Sequence, residues 1–374
     1  MGNRFCGLQI EQFRSLSDLR IEDLGPVNLI TGMNNTGKTS VLEAIRILAS
    51  NASLSTLSQI LRLREEDVVE ADDGFRLNEA EPAFPYSNLF QGYPEFSGEI
   101  PPIRIEGNHG DFPTSLMIEP CWLSELRTDE GVRKITVTAP RLFEGEDGMP
   151  GLRIKVNETE RLLPLEYLRR GSSRSYRRPD AVEDRRFPCL YVGPGSGDRT
   201  AGLGLLWDRI ALSDLEGHIV KALKIIDDNI SAVSMVGGEG ARSSRTAIVR
   251  STRIPRPVPL KSFGDGVNRL FGIILSLVNS KDGCLLIDEF ENGLHHTVQA
   301  DAWRMIFQLA AALNVQVFAT THSMDAVEAF QTAASETPAE GVLVRLARKG
   351  QTIVSTVFRE AELAVVTRNQ IEVR

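Results

Sequence analysis

Gly32-Met33-Asn34-Asn35-Thr36-Gly37-Lys38-Thr39 is the stretch that most restricts what this chain can fold into. It fits the pattern GxxxxGK[ST], and its neighbours supply the context that pattern requires. The apolar run Val27 to Ile30 before it predicts a strand, and Ser40 to Leu48 after it has the apolar spacing of a helix. Strand, glycine loop and helix in that order call for an α/β fold. The residue types also specify a chemistry. Gly32 and Gly37 let the backbone curl, so that the N–H groups from Gly32 through Ser40, those of Asn34, Asn35 and Thr36 included, point with the helix amino end at the phosphates of a nucleotide. Lys38 adds a point charge between the β- and γ-phosphates, and the Thr39 hydroxyl is placed to ligate Mg²⁺.

A second stretch asks for the same fold. Cys284 to Ile287 is apolar and ends abruptly in Asp288 and Glu289. Such a run predicts a buried parallel strand delivering two carboxylates to the sheet edge where open α/β folds bind ligands, or else an acid that merely caps the next helix. Val315 to Thr320 reads as another buried strand and runs into Thr321-His322-Ser323. Between these features, Lys261 to Gly266 precedes the apolar helix Val267 to Val278, whose amino end offers a second anion site. Helices ending near Leu313 and spanning Met324 to Ala334, then a hairpin of Val342 to Ala347 with Thr352 to Phe358 turning at Lys349-Gly350, complete this region.

The middle of the chain is less regular. Leu8 to Phe13, Pro102 to Glu106 and Lys134 to Ala139 read as strands, and Ile230 to Met235 with Thr246 to Arg250 as a hairpin. Leu215 to Asp228 has helical spacing, and Pro- and Gly-rich stretches such as Pro188 to Gly197 read as connections. Arg64 to Glu81 is acidic and reads as a solvated face or loop. Two stretches are basic: Arg161 to Leu190 carries eight Arg against four acids, and Arg242 to Arg256 carries five Arg and no acid. Solvated loops and contacts to a phosphate backbone both suit them. The net charge of -8 excludes a protein that coats nucleic acid by bulk charge. Cys6, Cys121, Cys189 and Cys284 stand far apart, with no metal-ligand spacing, which points to a reducing cytosol. No apolar run is long enough to span a bilayer, so the expected location is cytoplasmic with no membrane partner.

The order of these pieces resembles the ATP-binding-cassette ATPases, in the branch of the SMC-like repair proteins and the OLD-type (overcoming lysogenisation defect) ATPases. LQIEQFRSLSDLRIEDLGPVNLITGMNNTGKTSVLEAI and LLIDEFENGLHH followed by FATTHS carry the resemblance, which covers about Arg4 to Ser50 and Pro259 to Phe330. It implies an α/β ABC-ATPase head: a P-loop NTPase core with a mixed sheet, plus an α+β second lobe inserted between Walker A and the signature loop. Residues 1–55 and 259–374 would form lobe I, and residues 56–258 the inserted lobe II. Carried over residue by residue, Gly32 to Thr39 become Walker A, and Ser262 to Gly266 the signature loop, whose Ser262, Gly264, Asp265 and Gly266 close over ATP held by another protomer. Asp288 becomes the Walker B carboxylate that holds Mg²⁺ together with Thr39, and Glu289 the acid that orients and deprotonates the attacking water. Glu291 to His295 become the D-loop, and His322 the switch histidine at the γ-phosphate. The loop reads SFGDG where transporters have LSGGQ, which argues against a transporter nucleotide-binding subunit. The Mg²⁺-sensing glutamine has two candidates, Gln59 and Gln91.

The resemblance further implies ATP and Mg²⁺ as cofactors and a homodimer or higher homo-oligomer joined through the ATPase heads. Many OLD-type proteins continue into a TOPRIM nuclease domain; the stretch after His322 is too short for one and lacks its acid pair. Similarity to split anti-phage systems of the PARIS type implies instead a nuclease, TOPRIM or HNH, on a separate chain. The expected role is the sensor or scaffold of a defence or repair complex. A free-standing SMC-like repair ATPase, binding DNA through Arg169 to Arg186 and Arg242 to Arg256, is the alternative, and a scaffold that binds ATP without turnover is another.

Overall fold

The computed structural model describes residues 4–66, 86–94, 100–108, 115–127, 133–138, 149–165, 188–195, 200–237, 245–337, 341–359 and 362. The chain opens with β1 (Leu8–Phe13), β2 (Leu16–Ile21) and β3 (Val27–Gly32), then α1 (Lys38–Ala49) and α2 (Leu54–Leu63). Next come β4 (Ile103–Gly107), β5 (Ser115–Arg127), β6 (Arg133–Thr138), β7 (Met149–Val156), β8 (Thr159–Pro164) and β9 (Cys189–Val192). Helices α3 (Thr200–Ile210) and α4 (Glu216–Leu223) lead to the small sheet of β10 (Ile230–Val236), β11 (Thr246–Ser251) and β12 (Val258–Pro259). The last part runs α5 (Asp265–Asn279), β13 (Cys284–Ile287), α6 (His296–Leu313), β14 (Gln316–Thr321), α7 (Met324–Ala334), β15 (Gly341–Lys349) and β16 (Thr352–Arg359).

The core sheet has the order β16-β15-β3-β14-β13-β9. Its first five-strand run, β15 through β9, is parallel throughout, and β16 joins antiparallel to β15, which makes the sheet mixed. Every residue of β3, β13 and β14 is buried. Both faces are covered: Leu285, Ile287, Val317 and Ala319 pack with α5, α6 and α7, while Leu286 and Phe318 pack with α1. That is why these strands read as continuous apolar runs instead of alternating ones.

A second sheet, β2-β1-β4-β5-β7-β8 with β6 beside β5, is antiparallel. Its strands β4 and β7 alternate, and the inward residues Ile10, Ile103, Ile105, Leu116, Ile118 and Ile154 share one core with Val41, Leu42, Ile45 and Leu48 of α1. Helix α1 is therefore held between two sheets and is buried on most sides, with its apolar residues Val41, Leu42, Ala44, Ile45, Ile47, Leu48 and Ala49 all buried. Its one buried acid, Glu43, is paired with Arg14 at 2.7 Å and Arg64 at 2.8 Å. Burial pushes the Glu43 carboxyl up against the pull of both arginines.

The expected strands and helices of the two resemblance segments are present, as are the hairpins β10/β11 and β15/β16. The stretch expected as a connection at Pro188 to Gly197 differs: Cys189–Val192 is a strand, paired in register with Cys284–Ile287. Four residues between Pro188 and Gly193-Pro194 carry a local turn signal, and only the tertiary ladder overrides it. Residues 169–186 and most of the acidic run 64–81 lie outside the described residues. Among the described residues no helix is long and apolar enough to cross a membrane.

Candidate functional site

The carboxyl ends of β3, β13, β14 and β9 converge on one edge of the core sheet, and the chain leaves each of them carrying a polar residue or a glycine. From β3 the loop turns at Gly32, with φ 152°, and enters α1 from Gly37, with φ 82°. A Cβ on Gly32 would stand 2.4 Å from the Leu346 carbonyl oxygen, and one on Gly37 would stand 2.7 Å from the Leu16 side chain. Gly32 thus excludes a side chain by space as well as by backbone angle, and Gly37 does so by its backbone angle. The Thr36 hydroxyl donates to the Met33 carbonyl at 2.8 Å, and Arg348 donates to the carbonyl of Asn35, itself at φ 61°. Gly32→Ala is expected to cost about 1–3 kcal/mol of stability from strain alone. Denaturant unfolding reads it, with a loss of nucleotide binding in the folded fraction.

The Lys38 ammonium donates to the carbonyls of Gly32 at 2.7 Å and Met33 at 3.0 Å, so it reaches back across the mouth of the loop. Burial lowers its pKa, and the carboxylates of Asp288, Glu291 and Glu289 oppose that shift. Asp288 is 4 % exposed and accepts three hydroxyls: Thr39 at 3.2 Å, Thr320 at 2.5 Å and Tyr191 at 3.0 Å. Three hydroxyl donors fix the orientation of this buried carboxylate. Burial and that neighbouring carboxylate push the Tyr191 phenol far up, so it stays a donor.

Glu289 stands in the left-handed region at φ 52°, unusual for its residue type. Its N–H donates to the Thr320 hydroxyl at 2.9 Å, so one threonine at the end of β14 ties both acids to the neighbouring strand. Glu291 faces His322: one carboxylate oxygen accepts the His322 backbone N–H at 2.9 Å and lies 3.1 Å from its Nδ1. The other oxygen of Glu291 is buried without a hydrogen-bond partner, while the His322 ring is 56 % exposed. Beneath these groups the Arg269 guanidinium, 4 % exposed, donates to the carbonyls of Gly193, Asp288 and Glu289.

Lys38, Thr39, Asp288, Glu289 and His322 are thus brought to one sheet edge. The Ser262 to Gly266 stretch is not in that cluster. Ser262, Gly264 and Asp265 are exposed, and Gly266 abuts the turn after β13, where a Cβ would stand 2.6 Å from the Gly293 carbonyl oxygen. A cleft of about 740 Å³ opens beside Thr39 and Asp288 and is lined also by Tyr191, Arg46, Gln59 and Arg64. Arg46 donates to Gln59 and lies over the Tyr191 ring. Of the two candidate glutamines, Gln59 is in this wall, whereas the Gln91 N–H pairs with the Gln12 carbonyl. Arg245, from the second basic stretch, is engaged by the exposed Asp208 at 2.6 Å and by the carbonyls of Gly204 and Met235; Arg250, Arg253 and Arg256 are exposed.

Sequence reasoning did not single out Thr320, Tyr191 or Arg269. Thr320 carried a signal, a hydroxyl two residues before His322 at the end of a buried strand. Tyr191 and Arg269 act from elements whose neighbours only the fold reveals.

Two family models match the chain. One, described as "AAA domain, putative AbiEii toxin, Type IV TA system", matches residues 208–328, and one described as "AAA ATPase domain" matches residues 5–82. The chain is 22 % identical over 348 residues to an "ATP/GTP phosphatase" of Helicobacter pylori, covering 86 % of each chain. It is 45 % identical over 49 residues to the "DNA replication and repair protein RecF" of Acinetobacter baumannii, covering 13 % of this chain and 14 % of that one. Among solved structures, an SMC head bound to the C-winged helix domain of ScpA covers 95 % of this chain and 97 % of its own at 10 % identity and TM-score 0.49. The SMC head domain from Thermotoga maritima covers 95 % and 99 % at 12 % identity and TM-score 0.44. Lys38 lies in the span matched by the second model, and Asp288, Glu289 and His322 lie in the span matched by the first.

Proposed function

We propose that this ATPase binds ATP with Mg²⁺ along Gly32 to Ser40, hydrolyses it with Glu289 as the base, and closes head to head on a second copy while ATP is held. The observation that carries the reading is the buried Asp288 carboxylate bonded to Thr39, the residue next to Lys38, with Glu289 beside it on the same strand end. Loop N–H groups and Lys38 would hold the phosphates and offset their charge. The Thr39 hydroxyl and the Asp288 carboxylate are hard oxygen donors on adjoining elements, a set that suits Mg²⁺ sharing its remaining positions with phosphate and water. When bound, the ion would neutralise charge on the phosphates. Glu289 would orient a water and take its proton, and His322, on the exposed side of Glu291, would face the terminal phosphate.

The exposed Ser262, Gly264 and Asp265 at the start of α5 support a contact with nucleotide held by another protomer, because a helix amino end favours anions. We take the product of closure to be a signal read by a separate effector, such as a nuclease chain. The family description that names a toxin system supports a defence role, and the RecF relative supports DNA repair as the second reading.

Phosphate release should need Mg²⁺ and should stop on chelation with EDTA or in Asp288→Asn. Turnover indifferent to EDTA would overturn the metal assignment. Affinity capture with and without ATP, followed by identification of what the closed form retains, separates the two biological readings: a nuclease favours defence, and DNA ends alone favour repair.

A further inference from the structure

Arg269 is placed where an arginine has no ordinary reason to be. It is 4 % exposed, and its guanidinium contacts three main-chain carbonyls, those of Gly193, Asp288 and Glu289, with Nε left without a hydrogen-bond partner. Buried charges are ordinarily paired with a carboxylate, and desolvation here lowers the arginine's pKa. Gly193 and Asp288 are the points at which β9 and β13 leave the core sheet, so one side chain closes two strand ends past their last ladder bonds.

Glu289 is the strained member of that set. Its left-handed backbone is held from both sides: the N–H by the Thr320 hydroxyl, and the carbonyl by Arg269 at 3.1 Å and by the Asn292 N–H within the same turn. The Asn292 bond moves with the turn; the Arg269 bond ties the carbonyl to a different element. That element is α5, which starts at Asp265, one helical turn before Arg269 and directly after the exposed Ser262 and Gly264. A Cβ on Gly293, in the turn after Glu289, would sit 3.9 Å from both Asp265 and the Arg269 side chain.

We infer that Arg269 is a positioning residue that holds Glu289 in its left-handed conformation and makes the acid's aim depend on the seating of the segment Ser262 to Gly266 at the start of α5. It acts through the Glu289 carbonyl. An event at the loop would pass along one turn of rigid helix to the base of the same protomer. The inference rests on the ATPase reading above.

The test compares wild type, Arg269→Met, Arg269→Lys, Glu289→Gln and the double variant Arg269→Met/Glu289→Gln in single-turnover phosphate release at saturating ATP, with ATP affinity and thermal unfolding measured alongside. A misplacement of the base costs about 10²-fold in rate, so Arg269→Met should lose turnover on that order while ATP affinity stays within a few-fold. Arg269→Lys, which keeps the charge but not the fork, should fall between. The double variant should be no slower than Glu289→Gln alone if the effect of Arg269 on turnover runs through Glu289; a further loss would place it at the Asp288 or Gly193 carbonyl instead and overturn the proposal. Multiplying losses, an affinity loss matching the rate loss, or wild-type rates in Arg269→Lys overturn the proposal; if Arg269→Met does not fold, the rate and affinity of Arg269→Lys decide. No Mg²⁺-dependent turnover in wild type overturns the ATPase reading and this proposal with it, whereas turnover in wild type with multiplying losses overturns this proposal alone.

Discussion

Lys38→Ala lowers ATP turnover by about 10²–10³-fold, the loss expected when one preorganised donor to developing charge is removed. The size follows from where the ammonium stands. It bridges the Gly32 and Met33 carbonyls at the loop mouth, it is half-buried, and the carboxylates of Asp288, Glu291 and Glu289 oppose the lowering of its pKa by burial. An incoming phosphate would exchange two neutral carbonyl partners for anionic oxygens in a partly desolvated site, where charge-assisted bonds are stronger. The fold should not suffer, because alanine is the best helix former and position 38 opens α1. Phosphate release with thermal unfolding checks both statements, and turnover within twofold of wild type would remove Lys38 from the mechanism.

Glu289→Gln retains ATP and turns it over about 10²–10⁴-fold more slowly, the usual contribution of a positioned general base. Glutamine keeps the shape and the N–H bond to Thr320 and loses only the ability to take a proton. It also removes one of several negative charges that would face the phosphates, so ATP should be held more firmly. If hydrolysis is what releases two closed heads, the variant accumulates as a dimer with ATP and remains monomeric without it. Light scattering on the eluting protein reads this directly. A monomer mass with ATP would sink the shared-site part of the proposal, and normal turnover would sink the role of Glu289.

The parts of this site visible in the sequence are those in which local pattern and tertiary role coincide. Gly32 to Thr39 is a contiguous loop, and Cys284 to Glu289 and Gln316 to His322 are apolar runs that the sheet buries on both faces, so their polar ends point to one edge without further information. Tyr191, Thr320 and Arg269 were hidden because their importance comes from a neighbour remote in sequence: Tyr191 reaches Asp288 from β9, and Arg269 reaches Glu289 from α5. β9 itself reads as a turn until Cys284 pairs with Cys189. The antiparallel sheet around β5 and β7 was only partly legible, since short strands in long polar surroundings carry weak periodicity.

The position of β3 has a consequence for biosynthesis. Its ladder partners in the core sheet are β14 and β15, with Val27 opposite Val317 on one side and Gly341 on the other. The strand that leads into Gly32 to Thr39 therefore has no partner in the core sheet until β14 and β15 have been made. Pairings this distant in sequence are slow, because loop closure is paid before any contact is gained. A nascent chain carrying Gly32 to Thr39 thus has a motif without the Asp288 and Thr320 that complete its surroundings in the fold.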